Sequence, residues 1–131
     1  MKKGEIRIPA GLIIWQHELA TAEVLASAGY IVEFLPTSKI RNSKSPDIIM
    51  DGVKWEIKSP RAQRLSAIER NLKRAYHQST NIVFDSRRMD HLPDKSIQKE
   101  LIKQFVLTKN IKRIIFVNRK NKAIDISTLA K

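Results

Sequence analysis

Cysteine is absent from the chain, which excludes disulfides and thiolate zinc sites and leaves the redox compartment unreadable. Long apolar runs are absent too. None approaches the roughly 20 residues that a membrane-spanning helix needs. The stretch "AGLIIW" at residues 10–15 is also too short for the apolar region of a signal peptide followed by a cleavage site. Glycine is scarce, with four in all, and no glycine-rich phosphate loop occurs. Acidic residues are few beside basic ones: 13 Asp and Glu stand against 25 Lys and Arg, a formal charge of +12. That excess favours an anionic partner, nucleic acid ahead of a membrane surface. The alternative is a basic surface that serves solubility alone.

What remains suits one soluble domain with a real core. The 131 residues are 42% apolar and 29% charged, with no internal repeat and no low-complexity linker, so residues 1–131 are read as one unit. Residues 1–11 are polar, carry Pro9 and Gly11, and read as an irregular lead-in. From about Leu12 to Ala28 the spacing of Trp15, Leu19, Ala22, Leu25 and Ala26 predicts a helix, ended by Gly29. "YIVEFLP" reads as a strand, and Thr37 to Ser45 as a polar loop. After a hairpin, Pro60 stops the chain's second arm. A second helix is expected from about Arg61 to Gln78, with Leu65, Ile68, Leu72, Ala75 and Tyr76 inward. "NIVFD" follows as a buried strand and "SRRMDHLPDK" as a loop. A third helix runs from about Ser96 to Thr108, with Ile97, Leu101 and Phe105 on one face. "RIIFVN" and "KAIDIS" close the chain as strands. The expected class is α/β, a mixed central sheet flanked by helices.

The hairpin carries the chemistry. In "SPDIIMDGVKWEIK", Ser45 to Lys58, Asp51-Gly52 is a favoured type I′ turn. It sets Met50 opposite Val53, Ile49 opposite Lys54, Ile48 opposite Trp55 and Asp47 opposite Glu56. Alternation then gives one apolar face of Ile48, Met50, Val53, Trp55 and Ile57. Asp47, Ile49, Lys54, Glu56 and Lys58 share the other. Asp47 and Glu56 become cross-strand neighbours about 5 Å apart at Cβ. At an effective dielectric near 20, two charges at that separation repel by roughly 3 kcal/mol. A divalent cation offsets this directly, because carboxylate oxygens are what Mg²⁺ and Mn²⁺ prefer. The other account is a solvated face on which the acids splay and Lys58 screens them.

Other residues bear on the same question. Glu18 sits near the edge of the first helix's apolar stripe and Glu23 lies further round. Either is an exposed helix glutamate or a third acid. Arg70, Lys73, Arg74 and His77 cluster opposite the apolar stripe of the second helix, as a solvated face or as a phosphate-contacting ridge. Lys39, Arg41 and Lys44 precede Asp47 and are placed to guide a phosphate toward it. His17, His77 and His91 lack metal-ligand spacing. Ser59 and Ser66 have no visible base partner, so a serine nucleophile is rejected.

"PDIIMDGVKWEIK" resembles the active-site motif of the PD-(D/E)xK nucleases, with Pro46-Asp47 as its first part and Glu56-Ile57-Lys58 as its second. "HELATAEVLASAGYIVEFLP" followed by "KSPDIIMDGVKWEIKSP" is similar to the tRNA-nuclease toxin domains at the C-termini of CdiA proteins of contact-dependent growth inhibition. The similarity spans roughly residues 12–90, and the last third rests on pattern alone. Related domains also occur in phage and mobile-element proteins. The resemblance implies a restriction-endonuclease-like core and a metal-dependent endonuclease acting on RNA, tRNA first. It implies Asp47, Glu56 and Glu18 as metal ligands and catalytic acids, with Glu23 as the alternative third acid. It implies Lys58 as the residue that orients the attacking water, and Gln78 in an auxiliary role. Mg²⁺ is the implied ion, with Mn²⁺ or Zn²⁺ as alternatives. Further implications are an acidic immunity protein as partner and action in the bacterial cytoplasm after delivery from another cell as part of a larger toxin. Three rivals stay open, of which the first two are a DNA endonuclease of restriction, resolvase or mobile-element type and a noncatalytic nucleic-acid-binding module. A structural protein whose basic face binds an acidic partner is the third.

Overall fold

The computed structural model describes residues 4–36 and 47–130. Seven strands among them lie side by side in chain order, β1 (Glu5–Arg7), β2 (Ile31–Phe34), β3 (Ile48–Met50), β4 (Val53–Lys58), β5 (Asn81–Asp85), β6 (Arg113–Val117) and β7 (Ala123–Asp125). The pairs β1–β2, β4–β5 and β5–β6 are parallel, and β2–β3, β3–β4 and β6–β7 are antiparallel. The mixed sheet flanked by helices is as the sequence suggests.

Alternation along the strands builds two cores. Helix α1 (Gln16–Ser27) covers one face, where Leu25 and Ala22 meet Val32, Ile48, Met50, Trp55, Val83 and Ile115. Helices α2 (Ser66–Tyr76), α3 (Asp94–Leu107) and α4 (Ile126–Leu129) cover the other. There Ile68, Leu72, Ile97 and Leu101 meet Ile82, Phe84, Ile114 and Phe116. Neighbouring residues of β5 and β6 thus feed opposite cores, as period-two geometry requires of a sheet covered on both sides. Trp55 is fully buried, and its indole N–H donates to the Met50 carbonyl at 2.8 Å. Arg113 stacks over the Trp55 ring at 4.9 Å.

The hairpin register is the expected one, with Met50 opposite Val53, Ile49 opposite Lys54 and Ile48 opposite Trp55. Asp51 and Gly52 both take positive φ, 55° and 75°, as a type I′ turn demands. Gly29 at φ 102° ends α1. The Tyr30 N–H there donates to the Leu25 carbonyl and the Gly29 N–H to the Ala26 carbonyl, a Schellman closure.

Several expectations are corrected. Residues 1–11 are not wholly irregular, since Glu5–Arg7 pairs with β2. Helix α1 starts at Gln16, because Trp15 is extended with ψ 138°. Trp15 consequently lies outside the core at 72% exposure. The second helix is shorter than expected at both ends, and Leu65 precedes its first turn as a mostly exposed residue. Val53, at the turn, is also exposed. Helix α3 begins two residues early, after Pro93, whose extended backbone suits a helix start. The last strand stops at Asp125, whose side chain accepts from the Thr128 N–H and starts α4. A side-chain cap there wins over strand continuation.

Gly4 explains how β1 docks. Its N–H donates to the Ala26 carbonyl at 2.7 Å. A Cβ at this position would fall 1.7 Å from the Tyr30 carbonyl oxygen, which accepts from the Glu5 N–H. Gly4→Ala should therefore push β1 off β2 and cost roughly 1–3 kcal/mol, several degrees of Tm. An unchanged melting curve by circular dichroism would show that β1 does not depend on this close approach.

Candidate active site

Parallel strands β4 and β5 end at the same edge of the sheet, and antiparallel β3 begins there. Asp47 precedes β3, Lys58 ends β4 and Asp85 ends β5. The crevice beyond the carboxyl ends of parallel strands is where open α/β sheets hold their ligands.

Asp47 is fixed by its own backbone and side chain. Its N–H donates to the Trp55 carbonyl at 3.0 Å. Its Oδ2 accepts the Ile57 N–H at 2.8 Å. The carboxylate thus replaces a ladder carbonyl and is pinned beside Glu56. Glu56 itself is 4% exposed, hydrogen-bonded to Asp47, with Lys58 Nζ 3.4 Å from its Oε2. Burial pushes the Glu56 carboxyl up to about 8, the Asp47 charge and the shared hydrogen bond add to the shift, and Lys58 opposes it. The acids do not splay into solvent; Glu56 is held against Asp47 by a side-chain hydrogen bond.

Glu18, in the first turn of α1, joins them electrostatically. Burial raises its carboxyl to about 7, with the Asp47 charge adding and Lys58 opposing. Glu23 is exposed and lines a separate groove with Val24, Ser27, Arg87 and Asn121. Of the two helix acids, Glu18 is therefore the one within range of the hairpin pair.

The donor set can be tested for a divalent ion. Among the described residues no three His, Cys, Asp or Glu side chains converge as a ready-made cage. The pair Asp47/Glu56 alone matches Mg²⁺, which takes one or two carboxylates and completes its shell with water and substrate oxygens. All-oxygen donors suit Mg²⁺ or Mn²⁺ better than Zn²⁺, which favours nitrogen and sulfur.

The remaining sequence-derived residues divide. Lys39, Arg41 and Lys44 lie outside the described residues. Arg70, Lys73 and Arg74 are exposed on the outer side of α2, Lys73 paired with Glu69 at 3.0 Å. Gln78 follows α2, and the hydroxyl of its neighbour Ser79 donates to the Lys54 carbonyl. That is one same-face position before Glu56 along β4.

Sequence reasoning missed a second cluster at this edge. Asp85 is 2% exposed and accepts from the Arg87 backbone N–H and from its guanidinium, down to 2.7 Å. The Thr21 hydroxyl of α1 lies 2.5 Å from Asp85 Oδ2. This buried contact ties α1 to β5 one turn from Glu18. The signal was an acid closing a buried strand, "NIVFD", just before two arginines.

The shifted carboxyls make a stability prediction. In the unfolded chain a glutamate ionises near 4.5, whereas folded Glu56 holds its proton up to about 8 and Glu18 up to about 7. Between these limits the native state binds more protons, so stability falls as pH rises and levels off above pH 8. Without divalent metal, Glu56→Gln should raise Tm more at pH 8.5 than at pH 6, the gap being on the order of 5 °C. A variant-minus-parent difference that is constant across that window would contradict a protonated Glu56.

Comparison with known proteins gives two matches. The family model described as contact-dependent growth inhibition CdiA C-terminal domain matches residues 44–123. Among solved structures, the CdiA-CT/CdiI toxin and immunity complex from Burkholderia pseudomallei contains a chain of similar fold. The TM-score is 0.67 at 17% identity, over 93% of this chain and 98% of that one. No curated protein matches in sequence.

Proposed function

The chain belongs to the CdiA C-terminal domain family of contact-dependent growth inhibition, and on that footing we propose that it is a toxin domain that hydrolyses phosphodiester bonds in nucleic acid. RNA is the favoured substrate, and tRNA within it. The observation that carries this reading is the buried Glu56 carboxyl against the half-buried Asp47, with Lys58 beside it. A fold spends stability to hold two acids and a lysine in one crevice, and such perturbed groups cluster where chemistry is done. The order Asp47, Glu56, Lys58 resembles the PD-(D/E)xK motif, which supports the reading.

Phosphodiester hydrolysis needs a nucleophile at neutral pH and relief of the negative charge that builds on phosphorus. A divalent ion, held by Asp47 and Glu56, supplies Lewis acidity and an activated water when bound. Lys58 projects from the same face as Glu56, two residues on, and its ammonium is aimed at the charge that develops on the phosphoryl oxygens. Glu18, with a carboxyl near 7, is poised to hold or release a proton beside the attacking water. It also completes the acidic wall of the crevice as a metal ligand once ionised. The formal charge of +12 steers a polyanion to this crevice, and the exposed Arg70 and Arg74 extend a basic ridge for its backbone.

The toxin and immunity complex of similar fold supports an inhibitory partner for this chain. An acidic protein is the complement to its charge. Delivery from one bacterium to the cytoplasm of another follows from the same reading.

Glu56→Gln and Lys58→Ala should each lower cleavage at least about 100-fold while the far-ultraviolet dichroism stays native. The purified protein is incubated with tRNA, ribosomal RNA and plasmid DNA, in Mg²⁺ and in EDTA. EDTA-sensitive cutting of RNA supports the reading. Cutting of plasmid alone turns it to a DNA endonuclease. Binding without cutting turns it to a noncatalytic module, and full activity of either variant removes these residues from the chemistry.

A further inference from the structure

Beside the acid pair the sheet edge opens a second, unassigned cavity of about 210 Å³, lined by His17, Ala20, Ser59, Asp85, Arg87 and Arg88. It adjoins the crevice on two elements, because His17 precedes Glu18 on α1 and Ser59 follows Lys58 after β4. The charges in its wall do not cancel. Arg87 is fully engaged by Asp85 and by Asn121. Arg88 donates one Nη1 hydrogen bond to the Ser59 carbonyl at 3.0 Å. Among the described residues neither Arg88 nor Arg61 forms an ion pair. At about 210 Å³ the cavity is below the roughly 300 Å³ typical of small-molecule pockets and has ample room for a phosphate group.

An aromatic face stands at its mouth. Trp15 is 72% exposed, and its ring lies parallel to that of His17, with centroids 6.2 Å apart and planes 28° from each other. The extended backbone at Trp15, just outside α1, keeps the indole off the core. An exposed aromatic platform beside a cationic phosphate-sized hollow is the combination that single-stranded nucleic acids use, base on ring and phosphate on cation. Paired bases in a duplex have no free face to offer it.

We propose that Trp15, His17 and Arg88 form a subsite for the unpaired nucleotide next to the scissile phosphate, the neighbouring phosphate entering the cavity and the base stacking on Trp15. The assignment rests on the nuclease reading of the acid pair and adds to it a demand for single-stranded substrate.

The chain has two tryptophans. Trp55 is fully buried, so a change in tryptophan emission on binding reports Trp15. The intact protein is titrated in EDTA with an eight-nucleotide oligouridylate and with an RNA duplex of the same length, and both are then offered as substrates in Mg²⁺. Emission should be quenched by the single strand and not by the duplex. Trp15→Ala should weaken single-strand binding and raise KM roughly 5- to 150-fold, with Trp15→Phe restoring most of it. Arg88→Ala should weaken binding and reduce the salt slope by about 0.7, the single-strand value for one phosphate contact, which Arg88→Lys retains. Native circular dichroism of each variant excludes misfolding. Quenching absent on binding, or Trp15→Ala and Arg88→Ala matching the parent in affinity and KM, overturns the subsite while an active parent leaves the catalytic reading intact. If Trp15→Ala weakens only the complex with an immunity protein, the ring belongs to a protein interface and the subsite is wrong. Full activity of Glu56→Gln fails the catalytic reading instead, and does so on a separate variant.

Discussion

Two carboxyl groups forced together by a two-residue turn set the terms for the rest of the site. The type I′ turn at Asp51-Gly52 allows one register, and that register delivers Asp47 beside Glu56. Trp55 and Ile57, the chain neighbours of Glu56, are both buried in the α1-side core, so the strand cannot rotate to release Glu56 into water without emptying that core. The crowding is met locally, by a hydrogen bond between the two acids, by Lys58 and by the Ile57 N–H on Asp47. It places a cluster of acids at one edge of a strongly cationic chain, and the proposed ion-binding role rests on that contrast.

The sheet order turns that pair into a site. Because β4 and β5 are parallel, their carboxyl ends share an edge, and the start of α1 is brought against it. The Thr21–Asp85 contact locks the first turns of α1 to the end of β5. Asp85 is in turn held by Arg87, and removing Arg87 would leave Asp85 buried with its charge unmatched, a situation that costs about 3–5 kcal/mol in folded proteins. The position of Glu18 thus depends on an ion pair far along the chain from it. The same lock sets His17 and Trp15 at the edge, so the acid crevice and the neighbouring cavity share one support.

The hairpin was readable in the sequence because every rule involved is local: a turn signal, a period of two and a short loop. The placement of Asp47, Glu56 and Lys58 on one strand face follows from those rules, their assignment as a site came from the motif resemblance, and the apolar spacing of Ile68, Leu72, Ile97 and Leu101 marked the faces of α2 and α3 that meet in one core. The first three-residue strand was not readable, since "EIR" has no length over which alternation can show. Trp15 was misplaced for a related reason. Its spacing to Leu19 fits a helix, but the helix begins only after it, and periodicity does not mark the first turn. Asp85 was missed because its role is tertiary: nothing near it in the chain announces Thr21, 64 residues away. Helix α4 turned on a single side-chain cap.

Burial of Glu56 is the point at which stability and function oppose each other. A solvated pair would cost the fold little, yet would hold a cation weakly, because water would screen both partners. Burying the carboxyl raises the cost of ionising it, and the Glu56 carboxyl stands at about 8. Under the proposed function a cation entering the crevice would offset that cost, and free energy withheld from folding would become selectivity for the occupied state. Lys58, with its Nζ 3.4 Å from Glu56 Oε2, limits the penalty without cancelling it. An apolar residue in place of Glu56 would stabilise the sheet and, under the proposed function, remove one of the two acids that would hold the ion. The sequence keeps the less stable choice, and does so on the one strand whose neighbours hold it rigid.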